Sequence, residues 1–100
     1  MGYVRVAAIS DLKPGQSKVI AVNGKEVALF NVDGTFYATD NACGHRGGPL
    51  GVGQLSGNIV KCPWHGWRYD ITTGRCLANP DCPVKSYPVS LEGNDVRVSI

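Results

Sequence analysis

The sequence predicts an all-β fold in one domain of 100 residues, and two kinds of observation support this prediction. Apolar residues recur with a period of two, as in Val4/Val6/Ala8 and Val96/Val98/Ile100, which is the spacing of a strand with one covered face. The pairs Asn23-Gly24 and Asp33-Gly34 separate strand-like runs and are typical of tight hairpin turns. No segment has the length and period of a long helix.

The remaining elements follow from the same patterns. Val27/Leu29 on one strand face and Ala28/Phe30/Val32 on the other indicate a strand covered on two sides. Tyr87/Val89/Leu91 predicts one strand, and Pro88 places it at an edge or a bulge because proline cannot donate to a ladder. Residues 10–15 predict a single helical turn, and the glycine-rich stretch 43–58 is expected to interrupt the strand pattern.

This order of patterns predicts one domain with two parts. Antiparallel strands from residues 1–39 and 84–100 are expected to form a sandwich-like base. Residues 40–83 are expected to form a small inserted lobe that carries the two motifs described below.

Composition and charge exclude several classes of function. The net charge of +2 is spread along the chain, so no polybasic stripe indicates nucleic acid or an anionic membrane surface as a partner. No apolar run approaches the roughly 20 residues of a membrane span, and the N-terminus lacks the pattern of a signal peptide. We therefore expect a soluble, cytoplasmic protein.

Two short motifs, Cys43-Gly44-His45 and Cys62-Pro63-Trp64-His65, combine a thiol and an imidazole in each of two loops. His45 and His65 are the only histidines in the chain, and these four side chains are the candidate metal ligands. Iron and zinc both accept such ligands. A zinc site usually takes its cysteines from one loop and its histidines from the other, whereas each loop here is mixed. This order favours a [2Fe-2S] cluster with one Cys pair and one His pair.

The two motifs, extended to Cys43–Gly47 and Cys62–Gly66, resemble the ligand boxes of the Rieske [2Fe-2S] family. The resemblance implies the Rieske fold and one [2Fe-2S] cluster. It also implies that Cys43 and Cys62 bind the inner ferric iron, and that His45 and His65 bind the outer iron, which changes valence. Gly44, Gly47 and Gly66 are expected either to let backbone amides approach the sulfur atoms or to serve only as turn residues.

The sequence departs from family members of respiratory complexes at three positions. Those proteins have a further cysteine in each box, and Gly48 and Trp64 stand there in this chain. They also have a serine where this chain has Trp67, while Tyr69 is retained. The resemblance therefore implies a low-potential centre without a disulfide between its loops. Trp64 and Trp67 are expected either to shield the cluster or to pack within the lobe.

Other candidate residues keep alternative interpretations. Cys76 and Cys82 are expected to be reduced structural thiols, with a local disulfide as the alternative and a ligand role least favoured. Arg46, Lys61 and Arg68 lie in or beside the boxes, and scattered surface charge is preferred over contact with an acidic partner.

The predicted function is one-electron transfer, because no side chain is left for acid–base or nucleophilic catalysis. The chain has no nucleotide-binding motif, so an NAD(P)H-dependent reductase is expected as the electron donor. The expected acceptor is a terminal oxygenase, such as that of an aromatic-ring-hydroxylating dioxygenase. The alternative is the small subunit of a cytoplasmic NAD(P)H nitrite reductase with its large subunit as acceptor, and a remote alternative is a structural zinc module. In the two electron-carrier interpretations the chain is not itself an enzyme.

Overall fold

The computed structural model describes residues 2–42, 49–64, 66–79 and 81–100. Within these ranges the regular structure consists of antiparallel strands and two 3-10 turns, Ile9–Asp11 and Leu50–Val52. The strands are β1 (Tyr3–Ala8), β2 (Ser17–Val22), β3 (Lys25–Val32), β4 (Thr35–Asp40), β5 (Gln54–Ser56), β6 (Ile59–Lys61), β7 (Arg68–Asp70), β8 (Ser86–Tyr87), β9 (Val89–Glu92) and β10 (Asp95–Ser99). The predicted all-β class is confirmed.

The strands form three antiparallel sheets. The first has the order β1-β10-β9, the second β2-β3-β4-β8 and the third β5-β6-β7. At the hairpin turn between β2 and β3, Asn23 and Gly24 have φ values of 52° and 78°, and two successive residues with positive φ define a turn whose twist matches that of its strands. Both predicted hairpins, β2-β3 and β3-β4, are present.

The second sheet is covered on both of its faces. One face packs against the first sheet through a core to which β3 contributes Val27 and Leu29. The other face carries Ala28 and Phe30 into a second core together with Val60 and Tyr69 of the third sheet and several loop residues. Burial on two sides explains why β3 is apolar at successive positions.

Two local predictions are wrong, and both concern short strands. Residues 87–91 do not form one strand: β8 pairs with β4 in the second sheet, whereas β9 pairs with β10 in the first. Both are edge strands, as the position of Pro88 indicated. Pro88 lies between them, where the chain passes from one sheet to the other. The glycine-rich stretch also contains β5, which pairs with β6 across a turn at Gly57.

The predicted helical turn is a 3-10 turn at Ile9–Asp11, one residue earlier than expected. No helix in the described ranges is long and apolar enough to span a bilayer.

Candidate metal centre

The second ligand box begins where β6 ends. Cys62 directly follows Lys61, its backbone N–H donates to the Trp67 carbonyl at 2.7 Å, and its carbonyl accepts from the Gly66 N–H at 3.0 Å. These two hydrogen bonds close a tight loop with Cys62 at its base. His65, the other candidate ligand of this box, lies outside the described residues.

Cys62 is part of the second core. It is 1% exposed and belongs to the same buried cluster as Leu50, Val60 and Tyr69. A thiolate at this depth is shielded from water, as the inner ligand of a cluster needs to be.

The first ligand box lies outside the described residues, since residues 43–48 are not among them, so the structure places neither Cys43 nor His45. The two ends of this segment are nevertheless described. Ala42 and Pro49 form an antiparallel bridge, and the Leu50 N–H donates to the Asn41 carbonyl at 2.8 Å. The segment that carries Cys43 and His45 therefore begins and ends at the same place.

Asn41 connects these ends to the second sheet, and sequence reasoning did not identify it. Its side chain is buried, and its Oδ1 accepts the Gly51 N–H at 2.8 Å. Its backbone N–H donates to the Glu26 carbonyl at 3.3 Å, and its Nδ2 donates to Glu26 Oε1 at 3.5 Å. One asparagine thus joins β3, the start of the first box and the turn that follows it.

A surface cleft of about 500 Å³ brings the region after the first box next to the second box. Its lining includes Val52 and Gln54 from the first region and Cys62, Pro63 and Gly66 from the second. The backbone at Gly53 lies very close to the end of β6, because a Cβ on Gly53 would lie 2.5 Å from the Lys61 carbonyl oxygen. The two motif-bearing parts of the chain are therefore adjacent.

The two tryptophans differ. Trp67 is partly buried and packs against the second core. Trp64 is 58% exposed and belongs to neither described core.

Cys76 and Cys82 are free thiols in the structure. The backbone N–H of Asn79 donates to Cys76 Sγ at 3.4 Å, and Asn79 Nδ2 donates to Cys82 Sγ at 3.8 Å. The structure thus agrees with two reduced structural thiols.

A group of titratable side chains lies at the end of β4, shortly before the first box. Asp40 Oδ1 accepts a hydrogen bond from the Tyr87 hydroxyl at 2.5 Å and lies 3.2 Å from Lys25 Nζ. Burial alone would raise the pKa of Asp40, but the hydrogen bonds from Tyr87 and Lys25 outweigh it and lower this pKa. Burial, followed by the hydrogen bond to Asp40, raises the pKa of Tyr87. Folding therefore favours the ionised form of Asp40 over its protonated form, and the neutral form of Tyr87 over its ionised form.

Cys62 is the one candidate ligand that the structure describes, and its position suits an iron–sulfur cluster. A buried cysteine at the base of a closed loop supplies a soft thiolate, and the neighbouring cleft leaves space beside it. Fold and site together are those of a small all-β protein with a candidate thiolate site for a metal cluster.

Comparisons with known proteins identify the family. The family model of the Rieske [2Fe-2S] domain matches residues 2–88. The chain is 37% identical to the ferredoxin component of the naphthalene 1,2-dioxygenase system of Pseudomonas putida, with 98% of this chain and 95% of that protein covered. The chain therefore belongs to the Rieske [2Fe-2S] domain family, and it is an electron carrier with one Rieske-type [2Fe-2S] cluster.

Solved structures give the same result. The ferredoxin of carbazole 1,9a-dioxygenase from Nocardioides aromaticivorans IC177 matches with a TM-score of 0.91 and 34% identity over 99% of this chain and 98% of that chain. A chain in the complex of reduced oxygenase and oxidized ferredoxin in carbazole 1,9a-dioxygenase also matches. Its TM-score is 0.88 at 31% identity, over 97% of this chain and 92% of that chain.

A protein described as a nitrite reductase small subunit from Mycobacterium tuberculosis has a TM-score of 0.90 at 24% identity, over 97% of this chain and 93% of that chain. At this identity the likeness concerns the fold alone. The family match decides against the zinc module.

Proposed function

We propose that this protein carries single electrons from an NAD(P)H-dependent reductase to the terminal oxygenase of an aromatic-ring-hydroxylating dioxygenase in the cytoplasm. The observation that carries this proposal is the likeness, over nearly the whole chain, to the ferredoxin component of naphthalene 1,2-dioxygenase. The nitrite reductase alternative has support from the fold only. When bound, the cluster supplies one reversible one-electron oxidation and reduction.

We assign the cluster ligands to Cys43, His45, Cys62 and His65. Burial of Cys62 at the base of its loop supports the assignment, and so does the bridge from Ala42 to Pro49, which brings the ends of the first box together. Cys43 and Cys62 would hold the inner iron, and His45 and His65 the outer iron. The protein thus holds the cluster with two clamped loops.

Cysteine substitutions test the ligand assignment. Cys62→Ala is expected to abolish the cluster, whereas Cys82→Ala, which removes a partly exposed thiol outside the ligand set, is expected to retain it. Iron and acid-labile sulfide per chain, together with the visible spectrum, are the measurements. Full cluster content in Cys62→Ala would contradict the assignment.

Reconstitution tests the partners. The purified protein is mixed with the reductase and the terminal oxygenase of the naphthalene system, and NADH-dependent product formation is followed. We expect turnover that depends on the concentration of this protein. Absence of turnover, with efficient electron delivery to a nitrite reductase large subunit instead, would favour the alternative.

We also propose a low midpoint potential. Trp67 stands where high-potential relatives have a serine hydroxyl, so one hydrogen bond to a bridging sulfide is missing. The midpoint is expected in the lower part of the Rieske range of about −150 to +300 mV. A redox titration that returns a value above roughly +100 mV would contradict this.

A further inference from the structure

The placement of charges, rather than their number, distinguishes the ligand-bearing part of the chain. Residues 40–83 contain four basic and three acidic residues, and the rest of the chain contains six basic and five acidic residues, so each part has a net charge of +1. Two of the acidic residues in the first part already have partners. Asp40 lies 3.2 Å from Lys25 Nζ, and Asp70 accepts two hydrogen bonds from Thr72, at 2.9 Å from its N–H and 2.6 Å from its hydroxyl. The four basic residues are Arg46, Lys61, Arg68 and Arg75.

Two of these cations face each other on the third sheet. Lys61 of β6 is the cross-strand partner of Arg68 of β7. The adjacent row, Leu55, Val60 and Tyr69, contributes to the second core, so Lys61 and Arg68 lie on the opposite, outward face of the sheet. Both are exposed, and in the described part of the chain neither forms an ion pair. Like charges directly opposite each other destabilise a sheet, so this pair does not serve the fold.

The Lys61 side chain extends along the second ligand loop. Its Cε lies 3.2 Å from the position that a Cβ on Gly66 would occupy, and Lys61 also lines the cleft that reaches Cys62. The positive charge is thus held beside the metal centre.

Exposed apolar side chains occur in the segments around the cation pair. Val52, in the same cleft as Lys61, is 63% exposed, and Trp64, in the ligand loop, is 58% exposed. Leu77, 50% exposed, lies next to Arg68, whose carbonyl accepts the Leu77 N–H at 2.8 Å. Aromatic and arginine side chains are enriched in protein–protein interfaces, and apolar groups with charges at their margin are typical of such surfaces.

We propose that this surface, formed by Lys61 and Arg68 with Val52, Trp64 and Leu77, docks an electron-transfer partner whose facing surface is acidic. This inference rests on the proposed function. It adds the sign of the partner's charge, and it replaces the sequence-based preference for scattered surface charge at Lys61 and Arg68. Opposite charges speed the encounter, and the apolar side chains then exclude water from the contact.

Small charged oxidants test the local charge without any protein partner. One electron passes from the reduced protein to hexacyanoferrate(III), an anion, or to hexaamminecobalt(III), a cation. In the double variant Lys61→Gln/Arg68→Gln, we expect the second-order rate with the anion at low salt to fall about three- to tenfold and the rate with the cation to rise. The control Arg5→Gln/Lys13→Gln removes the same charges from the β1 region and is expected to change neither rate.

Protein partners test the docking itself. The dissociation constant between this protein and the naphthalene-system reductase or oxygenase is measured by calorimetry at several salt concentrations. We expect the affinity of the wild type and of the control to fall as salt is added. The Lys61/Arg68 variant is expected to bind less tightly at low salt, and its affinity is expected to depend less on salt. Sedimentation of the free protein checks whether a second copy of the chain occupies the surface.

The proposed oxygenase partner and the proposed docking surface fail in different ways. If the naphthalene components neither bind nor accept electrons while the oxidant rates shift as expected, the proposed oxygenase partner is wrong and the charged surface stands. If the oxidant rates and the dissociation constants of the Lys61/Arg68 variant equal those of the control, the docking surface is wrong. A dimer that the variant abolishes would also overturn it.

Discussion

At the scale of single residues, Asn41 holds the base of the first ligand box. Its buried Oδ1 is the acceptor for the Gly51 N–H, so Asn41→Ala would leave that buried donor without a partner. We expect a loss of about 1–3 kcal/mol in the free energy of unfolding and a reduced iron content. The measurements are denaturant unfolding and iron per chain.

Two further variants separate positioning by Asn41 from a general loss of stability. Asn41→Asp keeps an oxygen acceptor and is expected to restore most of the iron content. Asn94→Ala, in the exposed turn between β9 and β10, is expected to change neither quantity. Equal iron content in Asn41→Ala and Asn94→Ala would show that Asn41 does not position the ligand loop.

Tyr87 should make stability depend on alkaline pH. Folding raises its pKa above the ordinary value of 10.0, so its neutral form contributes stability below pH 10 that is lost as the pH rises through the folded-state pKa. Lys25, whose pKa is raised mainly by its hydrogen bonds to Tyr87 and Asp40, likewise favours the folded state below pH 10.5 and loses this contribution as the pH rises further. Lys85 also lies over the Tyr87 ring, with Nζ 5.2 Å from the centroid.

The expected result is a steeper loss of unfolding free energy above pH 10 in the wild type than in Tyr87→Phe. Urea unfolding at fixed pH values measures this dependence, and Tyr3→Phe, which removes an exposed hydroxyl, is the control. Identical pH profiles for Tyr87→Phe and the wild type would contradict the prediction.

At the scale of elements, the turn after β7 depends on Gly74. Its φ is +84°, and a Cβ there would lie 1.9 Å from the Val84 carbonyl oxygen. The Gly74 N–H donates to the Asp70 carbonyl at 2.7 Å, and its own carbonyl accepts the Val84 N–H at 2.8 Å. This turn therefore ties the third sheet to the segment that leads into β8 of the second.

Gly74→Ala and Gly93→Ala form a matched pair. Gly93 has a φ of +58° with open space around it, so its substitution tests the backbone conformation alone, which costs about 1–2 kcal/mol. Gly74→Ala adds the clash with Val84, and we expect a total loss of roughly 3 kcal/mol or more. Thermal unfolding of both variants measures the difference, and equal losses would rule out the close approach.

The elements also show what the sequence could predict. Long strands with regular alternation and two-residue turns were predicted correctly, because period and turn chemistry are local properties, as in β10 and at Asn23-Gly24. Strands of two or three residues were missed or merged with a neighbour, since β5 and β8 are too short to have a period. β8 also depends on a partner, β4, that is distant in sequence. Asn41 gave no local signal, because its role depends on the fold that brings Gly51 beside it.

For the candidate site, the four ligands were predicted from residue type and spacing. The structure describes only Cys62 among them, so the set remains a proposal. The division into a base of residues 1–39 and 84–100 and a lobe of residues 40–83 also stays a prediction. The family and its cofactor could be predicted because the two boxes are short, dense and specific.

At the scale of the whole molecule, the cluster should contribute to stability. Cys62 lies in the second core, so ligation by this proposed ligand would tie the metal centre to packing that involves both the second and the third sheet. Removing the cluster by chelation under reducing conditions is expected to lower Tm by at least about 10 °C, which corresponds to roughly 2 kcal/mol in a domain of this size. Calorimetry of the cluster-loaded and cluster-free protein measures the change, and an unchanged Tm would show that folding and ligation are independent.

The pairing of β1 with β10 has a consequence for the speed of folding. Arg5 of β1 binds Asp95 of β10 at 2.7 Å although 90 positions separate them in the sequence. Contacts between such distant positions close a large loop of chain, whose entropy must be lost before the contact forms, and a high contact order slows folding. The β2-β3-β4 meander, built from neighbours in sequence, is therefore expected to form early, and the strand pair that joins the two ends of the chain is expected to form late.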